Sequence, residues 1–177
     1  VNEGYFLRNT HYNFTPTYTG PGHASIFTGT TPSVHGIIGN NWYNKSDGLS
    51  VYCAGDGDMH TVCNCEETRV DIISTDGKMS TRHMLTTTIG DELKLFNPSS
   101  KVIGISLKDR GAILSAGHSA DAAYWMDKHG EWITSSFYME NLPEWLIKYQ
   151  KKYSVTDYLK GKWERKNDFS YDLGALV

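Results

Sequence analysis

The amino-acid sequence predicts an α/β domain, and three observations carry the prediction. Apolar residues recur at helical spacing between residues 86 and 97, a short apolar run occupies residues 102–107, and two segments rich in apolar residues at 122–126 and 132–135 flank a glycine-containing connection. A helix followed directly by a short, largely apolar strand is the pattern of a parallel sheet covered by helices. With 177 residues and 39% apolar composition the chain can bury one core, so a single unit is expected. A net charge of -3 exerts no general pull on nucleic acid or anionic lipid, and any affinity for an anion has to come from cations placed locally. Neither nucleic acid nor membrane is therefore an expected partner; the oligomeric state is not indicated.

In chain order, residues 5–12 alternate loosely between aromatic and polar side chains, which predicts a strand running toward Thr15-Pro16-Thr17-Tyr18-Thr19. Gly20-Pro21-Gly22 punctuates the chain, and residues 23–28 predict a short helix, so Thr19 stands where strand gives way to helix. A second short turn follows from Pro32. Residues 41–80 are rich in Gly, Asp, Asn and Ser without periodicity, which predicts long loops and one strand pair. Leu85, Ile89, Leu93 and Phe96 then form the stripe of an amphipathic helix that Asn97-Pro98 terminates, because the residue before proline is driven out of helical geometry.

The run at 102–107 is bounded by turn residues and reads as a strand buried on both faces. Residues 122–126 and 132–135 form a β-hairpin across the five-residue connection Asp127-Lys128-His129-Gly130-Glu131. Leu142-Pro143 opens a helix reaching Tyr149, with Trp145 and Leu146 turned inward.

The chain begins at Val1 and runs at once into Tyr5-Phe6-Leu7, and it ends at Ala175-Leu176-Val177 without a closing helix, so residues 1–177 are expected to be part of a larger domain. No basic-then-apolar leader opens the sequence, and no stretch approaches the roughly 20 apolar residues of a membrane-spanning helix. Cys53, Cys63 and Cys65 fall within thirteen residues, an odd number. A loop staple from Cys53 to Cys63 or Cys65, free thiols, and a zinc knot completed by His60 are the alternatives; the C-x9-C-x-C spacing matches no standard structural zinc pattern.

The residues that carry chemistry begin with Thr19. A hydroxyl at a helix N-terminus lies among unpaired backbone N–H groups and the positive end of the helix dipole, where an alkoxide and an oxyanion are both stabilised. The hydroxyl is a poor nucleophile unless a metal ion or base takes up the developing charge, and an ordinary N-cap fits the same position. Thr15 and Thr17 lie close by, and local physics does not choose among the three. Lys108 and Arg110 follow the carboxyl end of the buried strand, the edge at which open α/β sheets bind ligands; a guanidinium fork and an ammonium one residue apart on a strand-like loop can grip one tetrahedral anion.

The run Thr19-Gly20-Pro21-Gly22-His23-Ala24-Ser25-Ile26-Phe27-Thr28-Gly29, continued by Thr31-Pro32-Ser33-Val34-His35-Gly36-Ile37-Ile38-Gly39-Asn40, resembles the nucleophile region of the alkaline phosphatase superfamily. The branch is the one joining phosphate-irrepressible bacterial alkaline phosphatases to nucleotide pyrophosphatase/phosphodiesterases. The resemblance implies that Thr19 forms a phosphoenzyme and bridges toward a metal, and that Asn40 hydrogen-bonds a phosphoryl oxygen. Ser106-Leu107-Lys108-Asp109-Arg110-Gly111, followed by Ala116-Gly117-His118, is similar to the Lys-x-Arg element of the irrepressible enzymes and implies that Lys108 and Arg110 bind the remaining oxygens.

The implied fold is an alkaline-phosphatase-like three-layer α/β/α sandwich, here a partial domain with a small hairpin-containing insertion. The implied cofactors are two Zn²⁺ ions, the implied substrate is a small phosphate monoester, and the implied location is periplasmic or secreted. The resemblance covers roughly residues 4–150. Superfamily members carry an upstream Asp ligand, then a D-x-x-x-H and an Asp-His pair beyond the Lys-x-Arg element, and neither set is present. Asp56-Gly57-Asp58-Met59-His60 has the first spacing but precedes Lys108, and His23, His35 and His118 are expected to pack or support. Most metal ligands are thus expected outside this chain. A monoester dianion has more charged oxygens for Asn40, Lys108 and Arg110 to hold than a diester, which favours a monoesterase. A phosphodiesterase or sulfatase of the same superfamily and a non-catalytic oxyanion-binding module are the other readings.

Overall fold

The computed structural model describes residues 3–5, 7–65 and 75–161. Helices α1 (Thr19–Thr28) and α2 (Pro32–His35) come first, followed by an antiparallel hairpin of β1 (Asn41–Asn44) and β2 (Leu49–Tyr52). After β3 (Thr61–Val62) come α3 (Ile89–Phe96), β4 (Ile103–Ile105), α4 (Asp109–Ala116), β5 (Ala122–Met126), β6 (Trp132–Ser135), α5 (Glu144–Lys152) and α6 (Val155–Leu159). The main sheet has the order β3-β6-β5-β4. β4 and β5 are parallel, with Gly104 opposite Ala123, and α4 is the crossover between them; the other two pairings are antiparallel.

Alternation along β5 builds the layers. Ala123 and Trp125 face one way and join Ala112, Ile113 and Ala116 of α4, with Ile133 and Ala54, in one core cluster. Ala122 and Tyr124 face the other way and meet Val62, Leu142 and Leu146, the last from α5. Each large apolar side chain so enclosed contributes about 1.5–3 kcal/mol. α4 in turn carries α1, since Leu114 packs with Ala24, Ile37, Cys53 and Met84. Helix, sheet and helix stack as the sequence predicts for an α/β fold, with α4 enclosed between the sheet and α1.

α4 can lie so close to the sheet because β4 has no side chain at Gly104: a Cβ there would run into the Ala112 carbonyl oxygen and stand 2.8 Å from the Ala116 Cβ. The strand covered on both faces is β5. β4 is the outer strand of the described sheet, and Ile103 and Ile105 are 54% and 63% exposed, contrary to the double burial expected of residues 102–107.

Other expectations also change. Residues 5 and 7–12 form no strand, so no strand leads into α1, which begins at Thr19 itself. The predicted helix near residue 90 exists, but its stripe of Leu85, Ile89, Leu93 and Phe96 faces outward, and Gly90 and Asp91 are its buried residues. A capping box holds it instead: Thr88 Oγ1 accepts from the Asp91 N–H, and the Asp91 carboxylate accepts from the Thr88 N–H. Leu146 is buried as expected, whereas Trp145 is exposed and meets the Tyr124 ring edge-on. The 122–135 hairpin forms with its five-residue connection and belongs to the main sheet; β1 and β2 are the strand pair expected within 41–80. Cys63 pairs with Cys65, and Cys53 is a buried free thiol, so Cys53 staples no loop and the zinc knot has lost two thiolates.

Candidate active site

The first turn of α1 is capped from a distance. Tyr18 is the N-cap and makes no side-chain capping bond. Of the N–H groups a helix start leaves without intrahelical partners, Gly20 donates to Asn40 Oδ1 at 2.7 Å, Pro21 has none to give, and Gly22 already reaches Tyr18 O at 2.9 Å. Because a backbone N–H only donates, the oxygen of the Asn40 amide has to face Gly20, which turns its NH2 group away with both hydrogens free of that contact. Gly20 permits the approach: a Cβ there would meet Gly39 O at 3.1 Å, Asn40 Oδ1 at 3.2 Å and Cys53 Sγ at 3.2 Å.

Thr19 stands in the same turn, exposed, with His23 Nδ1 donating to its carbonyl oxygen at 2.8 Å. The loop that delivers Asn40 is fastened by His35, which is fully buried. Its Nδ1 accepts from the Ile37 N–H at 3.1 Å, so Nε2 carries the hydrogen and donates to Ser25 Oγ on α1 at 3.0 Å. Burial lowers the His35 pKa, only partly offset by a backbone hydrogen bond, and keeps the ring neutral as that pattern requires. His118 accepts from Thr81 Oγ1 at 3.0 Å and donates to Thr86 O at 3.2 Å. All three histidines are engaged in packing bonds.

The two cations sit at the start of α4, at the carboxyl ends of parallel β4 and β5. Lys108 is its extended N-cap, exposed and without an ion pair among the described residues, while Arg110 is helical instead of lying on the strand-like loop expected. Arg110 Nη1 donates to Tyr52 Oη at 3.1 Å with the guanidinium 5.9 Å from the Tyr52 ring centre, and Arg110 Nε is buried without a partner. Lys108, Arg110 and Tyr52 line one cavity of about 340 Å³ with Trp125, Met126 and Asp127.

The structure therefore brings Thr19 and Asn40 into one turn and Lys108 and Arg110 into one pocket. Cys53 and Tyr52 join the two: Cys53 N–H donates to Asn40 O at 3.0 Å, and the next side chain back holds Arg110. Burial pushes the Cys53 thiol up to about 12 against the pull of Arg110, so a neutral thiol fills the junction. Tyr52 and Asp109 are the residues that sequence reading missed, since a Tyr at the end of a polar hairpin carries no signal of its contact 58 residues away.

No three His, Cys, Asp or Glu side chains converge on a metal-sized site among the described residues. Asp56 is engaged by Ser80 Oγ at 2.6 Å and Arg82 at 2.7 Å, and His60 lies 3.8 Å from Glu140. Among the described residues the stretch thus offers zinc no ligand set of its own, and Thr19 is the one metal contact expected of it.

The family model described as type I phosphodiesterase / nucleotide pyrophosphatase matches residues 1–175. The chain belongs to that family. Among curated members and relatives, it is 44% identical over 166 residues to a protein of Myroides odoratus named calcium-transporting ATPase, covering 93% of this chain and 29% of that one. It is 42% identical to alkaline phosphatase PhoV of Synechococcus elongatus and 42% identical to alkaline phosphatase PafA of Elizabethkingia meningoseptica, covering 92% of this chain and 28% and 29% of theirs.

The crystal structure of wild-type PafA superposes with a TM-score of 0.83 at 41% identity, over 94% of this chain and 31% of PafA. A PafA variant substituted at one threonine, one asparagine, one lysine and one arginine gives 0.81 at 38% identity, over 91% of this chain and 30% of that one. This phosphodiesterase-family chain thus spans under a third of the length of these relatives, and over that span its α/β architecture matches that of alkaline phosphatase PafA.

Proposed function

We propose that this chain is the nucleophile-bearing part of a phosphate monoesterase in which Thr19 attacks phosphorus while Asn40, Lys108 and Arg110 hold the phosphoryl oxygens. The observation that carries the reading is the 2.7 Å bond from the Gly20 N–H to Asn40 Oδ1, which ties Asn40 to the turn that begins at Thr19 and leaves its NH2 free of that contact. Arg110 Nε, buried and unpaired, adds a second donor in want of an acceptor. The relatives support phosphoester hydrolysis in general. The substituted threonine and asparagine of the PafA variant are twenty-one residues apart and its lysine and arginine two apart, the separations of Thr19 from Asn40 and Lys108 from Arg110.

In the proposed reaction the Thr19 oxygen forms a bond to phosphorus as the bond to the alcohol breaks, the hydroxyl proton is given up and the alcohol leaves protonated. Water then cleaves the phosphothreonine. Donors fixed before the reaction stabilise the equatorial oxygens at no cost of reorganisation. Two zinc ions are part of the proposal and would make the Thr19 hydroxyl nucleophilic, with Thr19 the one contact from this stretch and the other ligands coming from outside the described residues. An exported location is also proposed, in keeping with the Cys63–Cys65 disulfide.

The test is turnover of an aryl phosphate monoester by the full-length protein and by Thr19→Ala. A loss of at least about 10³-fold, with loss of the acid-stable phosphopeptide containing residue 19, is expected; normal turnover by the variant would reject Thr19 as nucleophile. A diesterase reading is favoured by the family description itself. It predicts a higher kcat/KM on an aryl phosphodiester than on the monoester.

A further inference from the structure

We infer that Tyr52 and Asp109 are positioning residues for Arg110, a neutral phenol standing between carboxylate and guanidinium so that the full charge of Arg110 is left for the phosphoryl group. The inference rests on the monoesterase reading above and goes on to ask how its arginine is held.

Asp109 and Arg110 are sequence neighbours at a helix start, where a direct ion pair would be the simplest arrangement. Instead Asp109 Oδ1 accepts the Tyr52 hydroxyl at 2.7 Å and the Arg110 backbone N–H at 2.7 Å. The Tyr52 oxygen, its own hydrogen given to Asp109, accepts Arg110 Nη1 at 3.1 Å. No carboxylate pairs with the Arg110 guanidinium among the described residues. The carboxylate thus orients the phenol, and the phenol orients the guanidinium by one corner and by its ring face. Nη1 is tied while buried Nε is left without a partner, and Nε with Nη2 makes the fork that matches two oxygens of a tetrahedral anion.

A carboxylate in the place of the phenol would hold the arginine as firmly but would cancel the charge that a dianion needs. Burial, and then the neighbouring Asp109, push the Tyr52 phenol far above its ordinary value, so it stays neutral throughout the working range.

The test compares Tyr52→Phe, Asp109→Ala, Asp109→Asn and Arg110→Ala in the full-length protein. The readouts are kcat/KM on an aryl phosphate monoester and on an aryl phosphodiester, inhibition by inorganic phosphate, and the thermal midpoint. Tyr52→Phe is expected to lower monoester kcat/KM and phosphate affinity about tenfold, the scale of one misplaced charged donor, with a much smaller loss on the diester. Asp109→Ala should behave alike, and Asp109→Asn, which keeps an acceptor oxygen, should recover most of that loss. Tyr52→Phe added to Arg110→Ala should cost nothing further.

Equal losses on both esters, failure of the asparagine to recover what the alanine loses, or additivity with Arg110→Ala would each overturn the inference, and the Asp109 pair decides the matter should Tyr52→Phe unfold. If Arg110→Ala itself leaves monoester turnover unchanged, the monoesterase reading falls and this inference with it. If Arg110→Ala is crippled while Tyr52→Phe is normal, only the inference falls.

Discussion

Asn40 is asked to do two jobs with one amide, and they can be separated. Its oxygen caps Gly20 and its NH2 is proposed to bind substrate. Asn40→Asp keeps the cap and adds negative charge at a helix N-terminus, but removes the donor and repels phosphate. Its thermal midpoint should equal or exceed that of the parent protein while monoester kcat/KM falls about 10²-fold or more, whereas Asn40→Ala should lose both activity and about 1 kcal/mol of stability. Calorimetry beside steady-state kinetics checks the pair.

His35 makes a second residue-level prediction. Its pKa is lowered in the fold by burial, so the unfolded chain binds more protons below the ordinary value of 6.5, and stability rises with pH through that region. The contribution is complete above 6.5 and is lost as pH falls from there through the depressed folded value. His83 shifts the same way, from burial and then Arg82, and adds to the slope. Thermal midpoints between pH 7.5 and pH 5 should fall, and His35→Gln should flatten part of the slope.

At the scale of elements, α4 is the beam on which Lys108 and Arg110 are mounted, and its height above the sheet is set by Gly104. Gly104→Ala drives a methyl group into the Ala112 carbonyl and Ala116, so α4 has to lift. A loss of about 1–3 kcal/mol by denaturant titration is expected, with monoester turnover falling although no active-site group is touched. α3 makes the complementary case. Asp91, 3% exposed, takes the Thr88 N–H at 2.8 Å and the Ser119 N–H and Oγ at 2.7 and 2.6 Å, pinning helix start to the loop that enters β5. Asp91→Ala leaves these donors unpaired and should cost about 3 kcal/mol.

Periodicity found the helix near residue 90 but not the side it buries, because the pattern reports apolar spacing while the glycine and the capping box decided the contact. In the same way a short apolar run marked 102–107 as a strand and said nothing of its place at the sheet's outer position. The 122–135 hairpin was legible to the residue, since alternation and turn chemistry agree there. The missing 5–12 strand was not, because aromatic and polar residues mixed loosely fit an extended exposed segment equally well.

For the whole molecule, two stretches of sequence pointed to four side chains, and the structure supplies the connection between them that sequence could not. The structure ties Asn40 to the turn that begins at Thr19 and lines one pocket with Lys108 and Arg110. What joins them, Cys53 against Gly20 and Tyr52 against Arg110, depends on how a hairpin folds over two helix starts, and long-range contacts of that sort leave no periodic trace.

The central claim is that these four side chains share one tetrahedral anion. A crystal structure of the full-length protein with inorganic phosphate tests it most directly. The account predicts the Thr19 oxygen in line with phosphorus and Asn40 Nδ2, Lys108 Nζ and the Nε edge of Arg110 within hydrogen-bond distance of the phosphate oxygens. A phosphate bound elsewhere, or touched by only one of the two pairs, would contradict it.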